Sequence, residues 1–561
     1  MSNLLSQASL VMIPSGYKED VVYSQIPTDG SADMAFTRAS NGTRINSAGL
    51  VEVCPWNLAT NSENFSSWNL ANVTVTTNDI TAPNGTLTAD KLTISNNAND
   101  VKQTISVMPN SVYTWTFYVY GGTALGQQMR FYDNTNSTNI EYYNYSSSVV
   151  LGAWVKIERT FTTPSGCYEI QAWVLAATST IGTMWVWGAQ LNIGSTAKPY
   201  FPTTDRLNVP RLTYQNGGGG CPSLLLEKQS TNLVTYSEDF TQSVWNKGDV
   251  TITSNDIISP DGTQNADKFI LDATNSGHII YQSIPNQNSG YYTISCYVKY
   301  GNVRYFSTRS QTGGVVAATQ FYDLQNGVVV GGSSDASITS VGNGWYRITL
   351  KCLSSNSTDV QYIVYCFTTS STSETCTSDG SLYGYIWGAQ AETGSYATSY
   401  IPTTSSSATR VADECTKNGI GALIGGTSGT VFFDITTNPV LSSANYKQFC
   451  YYLDSSAAQS YMFLNNSNQI VTNSNWGSLG YSTAFQPNTR YKVALVYAPN
   501  DFALYINGVS VATASSGTPK DNVNISIGQL TGTENCEFVF NQYTHFKSRL
   551  TNAELVSLTT I

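Results

Sequence analysis

The chain has 561 residues, which is too many for one hydrophobic core and predicts about three or four domains. Only 11% of the residues are charged and the net charge is −10 at pH 7, so the clustered Lys and Arg that nucleic acid or an anionic membrane surface requires are missing. The composition is rich in Tyr, Trp and Gly and is typical of β-sheets joined by tight turns, because long helices need more Ala, Leu, Glu and Lys.

Residues 1–55 are predicted to form an N-terminal attachment segment of small hairpins, since short alternating runs are broken at Asn41-Gly42 and Ala48-Gly49. The apolar stretch from Leu4 to Ile13 lacks the flanks of a signal peptide, and no run reaches the roughly 18 apolar residues of a membrane span. We therefore expect synthesis in a reducing cytoplasm and no membrane insertion. The apolar stretch is either the attachment end or a buried strand of the first repeat.

A long internal repeat occupies the middle of the chain, and repetition of this kind indicates an array of similar modules. We predict a first copy at residues 56–205, a Gly-rich connector at 206–231 with a flexible elbow at its four glycines, and a second copy at 232–405. The matching segments are Asn57-Leu58 with Asn232-Leu233, Trp187-Gly188-Ala189-Gln190 with Trp387-Gly388-Ala389-Gln390, and Tyr200-Phe201-Pro202-Thr203-Thr204 with Tyr400-Ile401-Pro402-Thr403-Thr404.

Shorter matches lie inside the copies. Asp90-Lys91 is echoed by Asp267-Lys268, and Phe131-Tyr132-Asp133 by Phe321-Tyr322-Asp323. We interpret the repeated aspartates as strand-end ion pairs or turn contacts, since isolated carboxylates are seldom catalytic. The recurring tryptophans are interpreted as a shared core; they are Trp68 with Trp245, Trp154 with Trp345 and Trp187 with Trp387.

After a polar linker at residues 406–426 the pattern changes, and a last module is predicted at 427–561. Alternating runs such as Tyr491 to Tyr497 predict strands, and Asn507-Gly508 predicts a tight hairpin turn. Thr551-Asn552-Ala553-Glu554 is a capping box that predicts a short C-terminal helix.

The ten cysteines form no Cys-x-x-Cys pair and mostly do not recur between the copies. A disulfide framework would be duplicated with its module, so we interpret the cysteines as small buried apolar residues. A bond between Cys366 and Cys376 remains an open alternative.

Two local resemblances add to this picture. The last module resembles the concanavalin A-like, laminin-G-type sandwich through Leu504-Tyr505-Ile506-Asn507-Gly508-Val509 and Arg549-Leu550-Thr551-Asn552-Ala553-Glu554-Leu555. The two repeats resemble jelly-roll carbohydrate-binding modules. Together they imply an all-β chain of tandem jelly-roll β-sandwiches with a C-terminal concanavalin A-like sandwich.

Residues 10–405 as a whole resemble modular tail or fibre proteins of bacteriophages. The resemblance implies a virion structural protein made in the host cytoplasm, which assembles with other virion proteins and with copies of itself and takes part in host adsorption by binding surface polysaccharide. The segments that carry it are Met12-Ile13-Pro14-Ser15-Gly16-Tyr17-Lys18, Phe36-Thr37-Arg38-Ala39-Ser40, Cys221-Pro222-Ser223-Leu224-Leu225-Leu226-Glu227, Thr231-Asn232-Leu233 and Tyr236-Ser237-Glu238-Asp239-Phe240.

The sequence contains no recognisable catalytic set. Its two histidines, His278 and His545, lie in different modules, and no Gly-x-Ser-x-Gly, zinc spacing or phosphate loop occurs. We therefore expect a non-enzymatic protein without a cofactor. A structural Ca²⁺ held by Asp239, Asp261 and Asp267 is an open alternative, because loop carboxylates are hard oxygen ligands.

Two groups of aromatic residues with nearby amides are the candidate carbohydrate-binding sites, because the C–H face of a sugar packs on an aromatic ring while amides bond its hydroxyls. Protein interfaces also use tyrosine-rich loops, which is the alternative for both groups. The first, expected on a loop, is Tyr142, Tyr143 and Tyr145 with Asn139 and Asn144; the second is Trp476 and Tyr481 with Asn473 and Asn475.

Two other functions fit the same modules. One is a secreted carbohydrate-active enzyme or its carbohydrate-binding accessory, which a signal peptide and a pair of carboxylates would indicate. The other is a purely structural head or capsid fibre or decoration protein that binds no glycan.

Overall fold

The computed structural model describes residues 2–124, 127–176, 180–215, 217–284, 290–312, 315–354, 361–424, 426–439, 446–454, 459–472, 479–528 and 538–561. Within these residues the protein is almost entirely antiparallel β-structure, which confirms the predicted all-β fold class of β-sandwich modules. The chain divides into two compact units, one comprising Met1–Glu52, Asn208–Ser254 and Asp267–Ile561 and the other Val53–Leu207 and Asn255–Ala266.

The chain opens with short elements separated by turns. Helix α1 and strands β1 to β6 are α1 (Ser2–Leu5), β1 (Leu10–Met12), β2 (Tyr17–Lys18), β3 (Val21–Val22), β4 (Met34–Thr37), β5 (Gly42–Ile45) and β6 (Val51–Cys54).

The first repeat is a sandwich of two five-stranded sheets, with strand orders β13-β12-β15-β10-β7 and β14-β11-β16-β9-β8. Its strands are β7 (Asn69–Ala71), β8 (Val73–Ile80), β9 (Ala89–Ile94), β10 (Asp100–Ser106), β11 (Val112–Tyr120), β12 (Gln128–Asp133), β13 (Thr138–Asn144), β14 (Trp154–Thr162), β15 (Glu169–Ala176) and β16 (Gly182–Ile193), with 3₁₀ turns at Phe65–Ser67 and Ser146–Ser148. Alternate residues of both sheets fill the core, among them Trp115, Phe117 and Phe131.

Between the repeats lie β17 (Arg211–Thr213), β18 (Ser223–Leu225) and β19 (Ser230–Asn232). The second repeat has two six-stranded sheets, ordered β20-β24-β31-β26-β27-β28 and β21-β22-β33-β25-β30-β29. Its strands are β20 (Asn246–Gly248), β21 (Val250–Ile257), β22 (Ala266–Leu271), β23 (Asn275–Gly277), β24 (Ile279–Ile284), β25 (Gly290–Tyr300), β26 (Tyr305–Thr312), β27 (Val315–Asp323), β28 (Val328–Val329), β29 (Ala336–Ser340), β30 (Trp345–Ser354), β31 (Gln361–Thr368), β32 (Thr375–Thr377) and β33 (Tyr383–Thr393).

The repeated motifs close each sandwich on itself, so that the end of each copy is bound to its beginning. In the first repeat the Asn57 amide donates to the carbonyls of Ala189 and Phe201 at 3.0 and 2.9 Å. In the second repeat Asn232 does the same to Ala389 and Ile401, again at 3.0 and 2.9 Å. Both copies therefore retain the same hydrogen bonds between their two ends; we call this arrangement, centred on Asn57 or Asn232, the closing lock.

Five of the six recurring tryptophans belong to the interior, as predicted. Trp187 packs on Tyr200 with ring centroids 4.6 Å apart, and Trp387 packs on Tyr400 at 4.8 Å. Trp68, Trp187, Trp245, Trp345 and Trp387 are buried, whereas Trp154 is half-buried.

The repeated Phe-Tyr-Asp motif conserves a turn and not a position in the sheet. Asp133 and Asp323 each accept the backbone and side-chain N–H groups of the Asn three residues later. However, Asp133 ends β12, which pairs with β15, whereas Asp323 ends β27, which is separated from β31 by β26. Phe131 faces the core in the first repeat, whereas in the second repeat the core residue of the motif is Tyr322. The sequence match pairs Phe131 with Phe321, so the residue that faces the core differs by one position between the two copies.

The last module is a sandwich of two eight-stranded sheets. One is ordered β17-β18-β44-β36-β40-β41-β42 with β1 also on β44, and the other β2-β3-β4-β35-β43-β37-β38-β39. Its own elements are β34 (Ala408–Arg410), β35 (Glu414–Lys417), α2 (Gly421–Ile424), β36 (Gly429–Thr437), β37 (Lys447–Asp454), β38 (Gln459–Leu464), β39 (Ile470–Thr472), β40 (Arg490–Ala498), β41 (Asp501–Ile506), β42 (Val509–Ala514), β43 (Asn522–Ile527), β44 (Phe538–Phe546) and α3 (Asn552–Thr559); β34 pairs with β19 outside these sheets.

The N-terminal segment and the connector, which the sequence treats as separate, contribute strands to these two sheets. β1 and β18 lie one after the other along the same edge of β44, where Leu10 pairs with His545 and Leu224 with Phe540. Where β1 and β18 pair with β44, the backbone groups on this edge of β44 are hydrogen-bonded and do not form an exposed sheet edge. The apolar N-terminal stretch is thus a buried strand, in the last module and not in the first repeat.

The glycine run of the connector packs closely against a turn. An added Cβ at Gly49 would lie 2.0 Å from the Gly217 carbonyl oxygen, and Gly218 has a φ of +101°. The Gly219 N–H donates to the Ser47 carbonyl at 3.0 Å. Glycine is required here by close backbone approach and left-handed conformation, which differs from the predicted flexible elbow.

A buried ion cluster joins the parts of the larger unit. The Arg38 guanidinium donates to Asp413 at 2.8 Å, and Arg211 donates to Glu227 at 2.7 Å and also to Asp413. Arg410 lies 3.6 Å from Glu227. Burial raises the pKa of Glu227, but Arg410 and Arg211 outweigh it and hold that pKa at about 2. Arg38 and Glu227, which belong to segments that carry the bacteriophage resemblance, are thus members of this buried ion cluster.

Two smaller predictions are confirmed. Thr551 and Glu554 form a reciprocal capping box that begins α3. The nine cysteines in the described residues are free thiols, including Cys366 and Cys376, and eight of them are buried while Cys221 is exposed.

Candidate functional site

The two predicted aromatic groups have different outcomes. Asn473, Asn475 and Trp476 lie outside the described residues. Tyr481 is half-buried, its N–H donates to the Ile470 carbonyl at 3.1 Å, and its ring packs on the core of the last module. The described part of the second group therefore offers little aromatic surface to a ligand.

The first group lies mainly on edge strand β13 and not on a loop. Tyr145 is buried, and its hydroxyl donates to the Val174 carbonyl at 2.6 Å; burial raises its pKa. Tyr143 packs on the core with the Arg159 guanidinium 4.7 Å from its ring. Only Tyr142, which is 51% exposed, presents a ring to solvent. Strand alternation divides the group between two faces.

Tyr142 belongs to the face of the five-stranded sheet that points away from the core. It lies opposite Arg130 on β12, whose neighbours Met129 and Phe131 point inward. We call this surface the Arg130 face; it consists of Lys102, Arg130, Tyr132, Asn139, Tyr142 and Trp173.

Aromatic rings surround Arg130 on this face. Its guanidinium carbon is 4.6 Å from the ring centroid of Tyr132, 4.9 Å from that of Tyr142 and 5.0 Å from that of Trp173. Its Nε–H donates to Asn139 Oδ1 at 2.9 Å. These contacts hold the guanidinium in one orientation, which makes its remaining N–H groups a fixed set of donors.

A second cation lies beside the first. The Lys102 ammonium is 4.8 Å from the Trp173 ring and 3.3 Å from a carboxylate oxygen of Asp100. Trp173 itself is only 1% exposed, and both cations lie against its ring. The Arg130 face therefore combines two cations, an exposed tyrosine and an amide on a protein whose net charge is −10.

Arg130, Trp173 and Lys102 are absent from the candidates drawn from the sequence. The available signal was alternation: Arg130 and Tyr132 flank the core residue Phe131, and Trp173 flanks Ala172. What the sequence lacked was the pairing that brings β12, β13 and β15 together, since these strands are separated by turns and by β14.

On the corresponding face of the second repeat, the outward arginine is already paired with a carboxylate. Arg309 on β26 lies 2.7 Å from Glu374 Oε2, and the Ser307 hydroxyl donates to Glu374 Oε1 at 2.9 Å. Glu374 precedes β32, which pairs with β23. The second repeat thus neutralises its outward arginine with its own carboxylate.

The repeated aspartates are structural, as predicted. Asp90 accepts the backbone N–H groups of Phe65 and Asn78 at 2.8 and 3.0 Å, and Asp267 accepts that of Phe240 at 2.9 Å. The pKa of Asp90 is raised mainly by burial. Both carboxylates are fully buried turn contacts.

Both histidines are buried. His278 contacts the carbonyls of Asp249 and Cys376 through its two ring nitrogens, at 2.8 and 3.2 Å. The pKa of His545 falls to about 3 because burial disfavours its charged form. Neither histidine is presented at a surface where it would act on a substrate.

The aspartates considered for Ca²⁺ have local partners. Asp239 accepts from Thr241 and Gln242, and Asp261 accepts from the N–H of Thr263 at 2.8 Å. Among the residues that the structure describes, no cluster of three His, Cys, Asp or Glu side chains is suited to hold a metal. None of the described helices has both the length and the apolar character needed to cross a membrane.

Comparison with known proteins gives only structural likenesses. No family model matches the chain, and no curated protein matches it. Similar solved structures include the CBM40 of a Ruminococcus gnavus IT-sialidase bound to α2,3 sialyllactose, at 17% identity over 25% of this chain and 86% of that one, with a TM-score of 0.21.

Two further likenesses are of the same order. The tandem CBM22 domains of Paenibacillus barcinonensis Xyn10C share 12% identity over 60% of this chain and 98% of theirs, with a TM-score of 0.20. The enzymatically active domain of tailspike protein 4 from bacteriophage CBA120 shares 20% identity over 25% of this chain and 22% of that one, with a TM-score of 0.21. At these scores the likenesses carry no part of the functional argument below.

Proposed function

We propose that this protein is a non-enzymatic structural component of a bacteriophage particle that binds host-surface polysaccharide through the Arg130 face. The observation that carries the binding proposal is the arrangement of Tyr132, Tyr142 and Trp173 around one guanidinium. The virion assignment rests on the sequence segments that resemble tail and fibre proteins.

The Arg130 face has the parts that carbohydrate recognition uses. Tyr142 offers a ring on which the C–H face of a sugar packs, and Asn139 and Arg130 supply polar groups that bond hydroxyl or carboxylate oxygens. Because Arg130 is already ordered by three rings and Asn139, binding loses less side-chain entropy than it would with a free arginine. The open, slightly cationic sheet face suits an extended polysaccharide.

The proposed lack of enzymatic activity is supported by how the candidate chemical groups are used. Asp90 and Asp267 hold turns, and His278 and His545 are buried. The carboxylate nearest to the cations of the Arg130 face is Asp100, which pairs with Lys102. Glycoside hydrolysis commonly needs two carboxylates that flank the scissile bond.

Assembly is part of the same proposal. A virion appendage contacts other virion proteins and copies of itself, and several copies raise weak binding to a polysaccharide through avidity. Within this proposal the last module is a concanavalin A-like sandwich whose sheets also hold the N-terminal strands.

A glycan array combined with electron microscopy tests both parts. We expect Tyr142→Ala to weaken array binding about 3- to 10-fold, since the stacking surface is lost. Tyr291→Ala is the matched control, because Tyr291 is also an exposed ring, 37% accessible, with the Lys351 ammonium 5.1 Å from it in the second repeat. Antibody against the protein is expected to label intact particles.

Other outcomes favour other functions. Equal loss of binding in both tyrosine variants contradicts the Arg130 face as the site. Labelled particles without any glycan signal favour a purely structural head or capsid fibre or decoration protein. Turnover of a polysaccharide that one Asp or Glu substitution abolishes favours a carbohydrate-active enzyme.

A further inference from the structure

A concave site lies in the larger unit, which does not contain the Arg130 face. It is a pocket of about 200 Å³ on the outward side of β29, β30 and β25. The second repeat supplies most of the wall, and the N-terminal segment and the last module supply the rest through Ile45 and Pro439. The residues on which the argument depends are Tyr297, Ser337, Thr339, Arg347, Thr349 and Tyr396.

Arg347 is the charged side chain among the residues that line this pocket. One of its terminal nitrogens donates to the Thr398 carbonyl at 2.6 Å, and its guanidinium carbon is 5.5 Å from the Tyr297 ring. Its Nε–H is buried and has no hydrogen-bond partner within the described ranges of the chain. Because Nε is enclosed and one terminal nitrogen is bound to Thr398, the guanidinium is held in place, and contact with a ligand in the pocket is left to its terminal N–H groups.

The charge of Arg347 is not cancelled by a direct ion pair in the described structure. The acidic group that faces it is Glu392, which is buried and bonded to the Thr398 N–H at 2.7 Å and to the Gln390 amide. Burial raises the pKa of Glu392, although Arg347, Lys228 and Arg410 act in the opposite direction. The pocket therefore presents a cation whose counter-charge is indirect.

The rest of the wall suits a sugar ring. The Ser337 and Thr349 hydroxyls bond to each other at 2.7 Å and remain able to bond a ligand oxygen. Tyr297 and Tyr396 line the pocket but are each only 2% exposed, so they shape its wall and offer no open face for stacking. A volume of about 200 Å³ is below the roughly 300–1,000 Å³ of pockets for drug-sized ligands. It accommodates one small ring and not a chain.

We propose that this pocket binds a single acidic sugar residue, with its carboxylate on Arg347 and its hydroxyls on Ser337 and Thr349. A guanidinium binds a carboxylate through charge-assisted hydrogen bonds, which its terminal N–H groups would donate here. The inference does not depend on the Arg130 face, which lies on a different module.

The test compares two sugars that differ only at one carbon. Glucuronate and glucose are titrated into the full-length protein and followed by ligand-observed NMR. We expect glucuronate to bind at least about 10-fold more tightly than glucose, which is the effect of a charge-assisted contact. Arg347→Gln is expected to remove this preference, and Arg347→Lys to retain part of it.

Two further variants separate this site from structural damage and from the Arg130 face. Thr339→Trp fills the pocket without removing the arginine and is expected to abolish glucuronate binding with an unchanged melting temperature. Arg130→Ala is expected to leave glucuronate binding at the pocket unchanged, whatever its effect on polysaccharide binding.

Several results would overturn the proposal. They are equal binding of glucose and glucuronate, glucuronate binding that survives both Arg347→Gln and Thr339→Trp, no binding of glucuronate at tens of millimolar, and acetate binding as tightly as glucuronate. The last result would show that the pocket takes any carboxylate and does not recognise the sugar.

Discussion

The two repeats share their closing lock but differ on one outward sheet face. In the first repeat this face belongs to the sheet that contains β15, and in the second to the sheet that contains β31. In the first repeat Arg130 lies among three aromatic rings and bonds to Asn139, and no carboxylate pairs with it in the part of the chain that the structure describes. In the second repeat Arg309 is paired with Glu374. The comparison shows that duplication conserved what holds each sandwich together, while surface strands and insertions diverged. Function is therefore sought where the copies differ.

The largest expected effect concerns the part that the copies share. Asn57→Ala and Asn232→Ala each remove four hydrogen bonds, two donated and two accepted by the amide. At roughly 1 kcal/mol each, we expect a loss of about 3–5 kcal/mol in the free energy of unfolding of the affected repeat. Urea unfolding of both variants measures this.

The comparison is sharpened by requiring the two losses to agree. If the lock is equivalent in both copies, the two variants lose the same stability to within about 1 kcal/mol. A large loss of stability in one repeat and none in the other would show that the shared motif stabilises the two sandwiches to different extents. Ser66→Ala, at an exposed position whose N–H and hydroxyl donate to Asn64 in the first repeat, is the control with a small expected effect.

The second expected effect concerns the part in which the copies differ. Arg130→Ala is expected to weaken binding of the glycan identified on the array by about 10- to 100-fold, because a charge-assisted contact is worth about 1.5–3 kcal/mol. Arg309→Ala is expected to leave binding unchanged, since Glu374 already occupies that guanidinium. Surface plasmon resonance with the immobilised glycan measures both.

A reciprocal variant tests the role of Glu374. Glu374→Gln removes the negative charge beside Arg309 while retaining a side chain of similar size. The variant is made in the Arg130→Ala background, so that the first repeat does not contribute to binding. We expect Glu374→Gln to increase the weak binding of an acidic polysaccharide to the second repeat. No change in that background would contradict the idea that Glu374 closes this face.

Much of the fold was accessible from the sequence, because it follows from local patterns. Alternation along Tyr113 to Tyr120 gives a strand, Thr551 and Glu554 give the capped helix, and matched motifs locate both repeats. The placement of β1 and β18 on β44 was not accessible, since it depends on which edge of a distant sheet is free. Composition cannot show that residue 10 pairs with residue 545.

The candidate site was predictable only in part. Tyr142 was identified, but its neighbours in sequence, Tyr143 and Tyr145, point to the other face or into the core. Its partners in space, Arg130 and Trp173, come from strands whose order is set by long-range pairing. The same limit explains the Phe-Tyr-Asp motif, in which the sequence conserves the turn while the second copy places an additional strand between it and β31.

The smallest expected effect uses that turn as an internal comparison. The pKa of Asp323 is lowered to about 2, mainly by its hydrogen bonds with Arg304 and despite burial. The pKa of Asp133 is also lowered; burial opposes this, and the hydrogen bonds from Asn136 outweigh it without an arginine. Because these carboxyls have folded-state pKa values below the ordinary 3.8, each stabilises the fold above that pH and loses its contribution as pH falls through its folded value.

We expect carboxyl NMR titrations to show Asp323 titrating below Asp133. Arg304→Gln should close most of this gap and Lys351→Gln should not, because Lys351 pairs with Asp335. A gap that persists in Arg304→Gln would assign it to the turn itself and remove the distinction drawn here between the two copies.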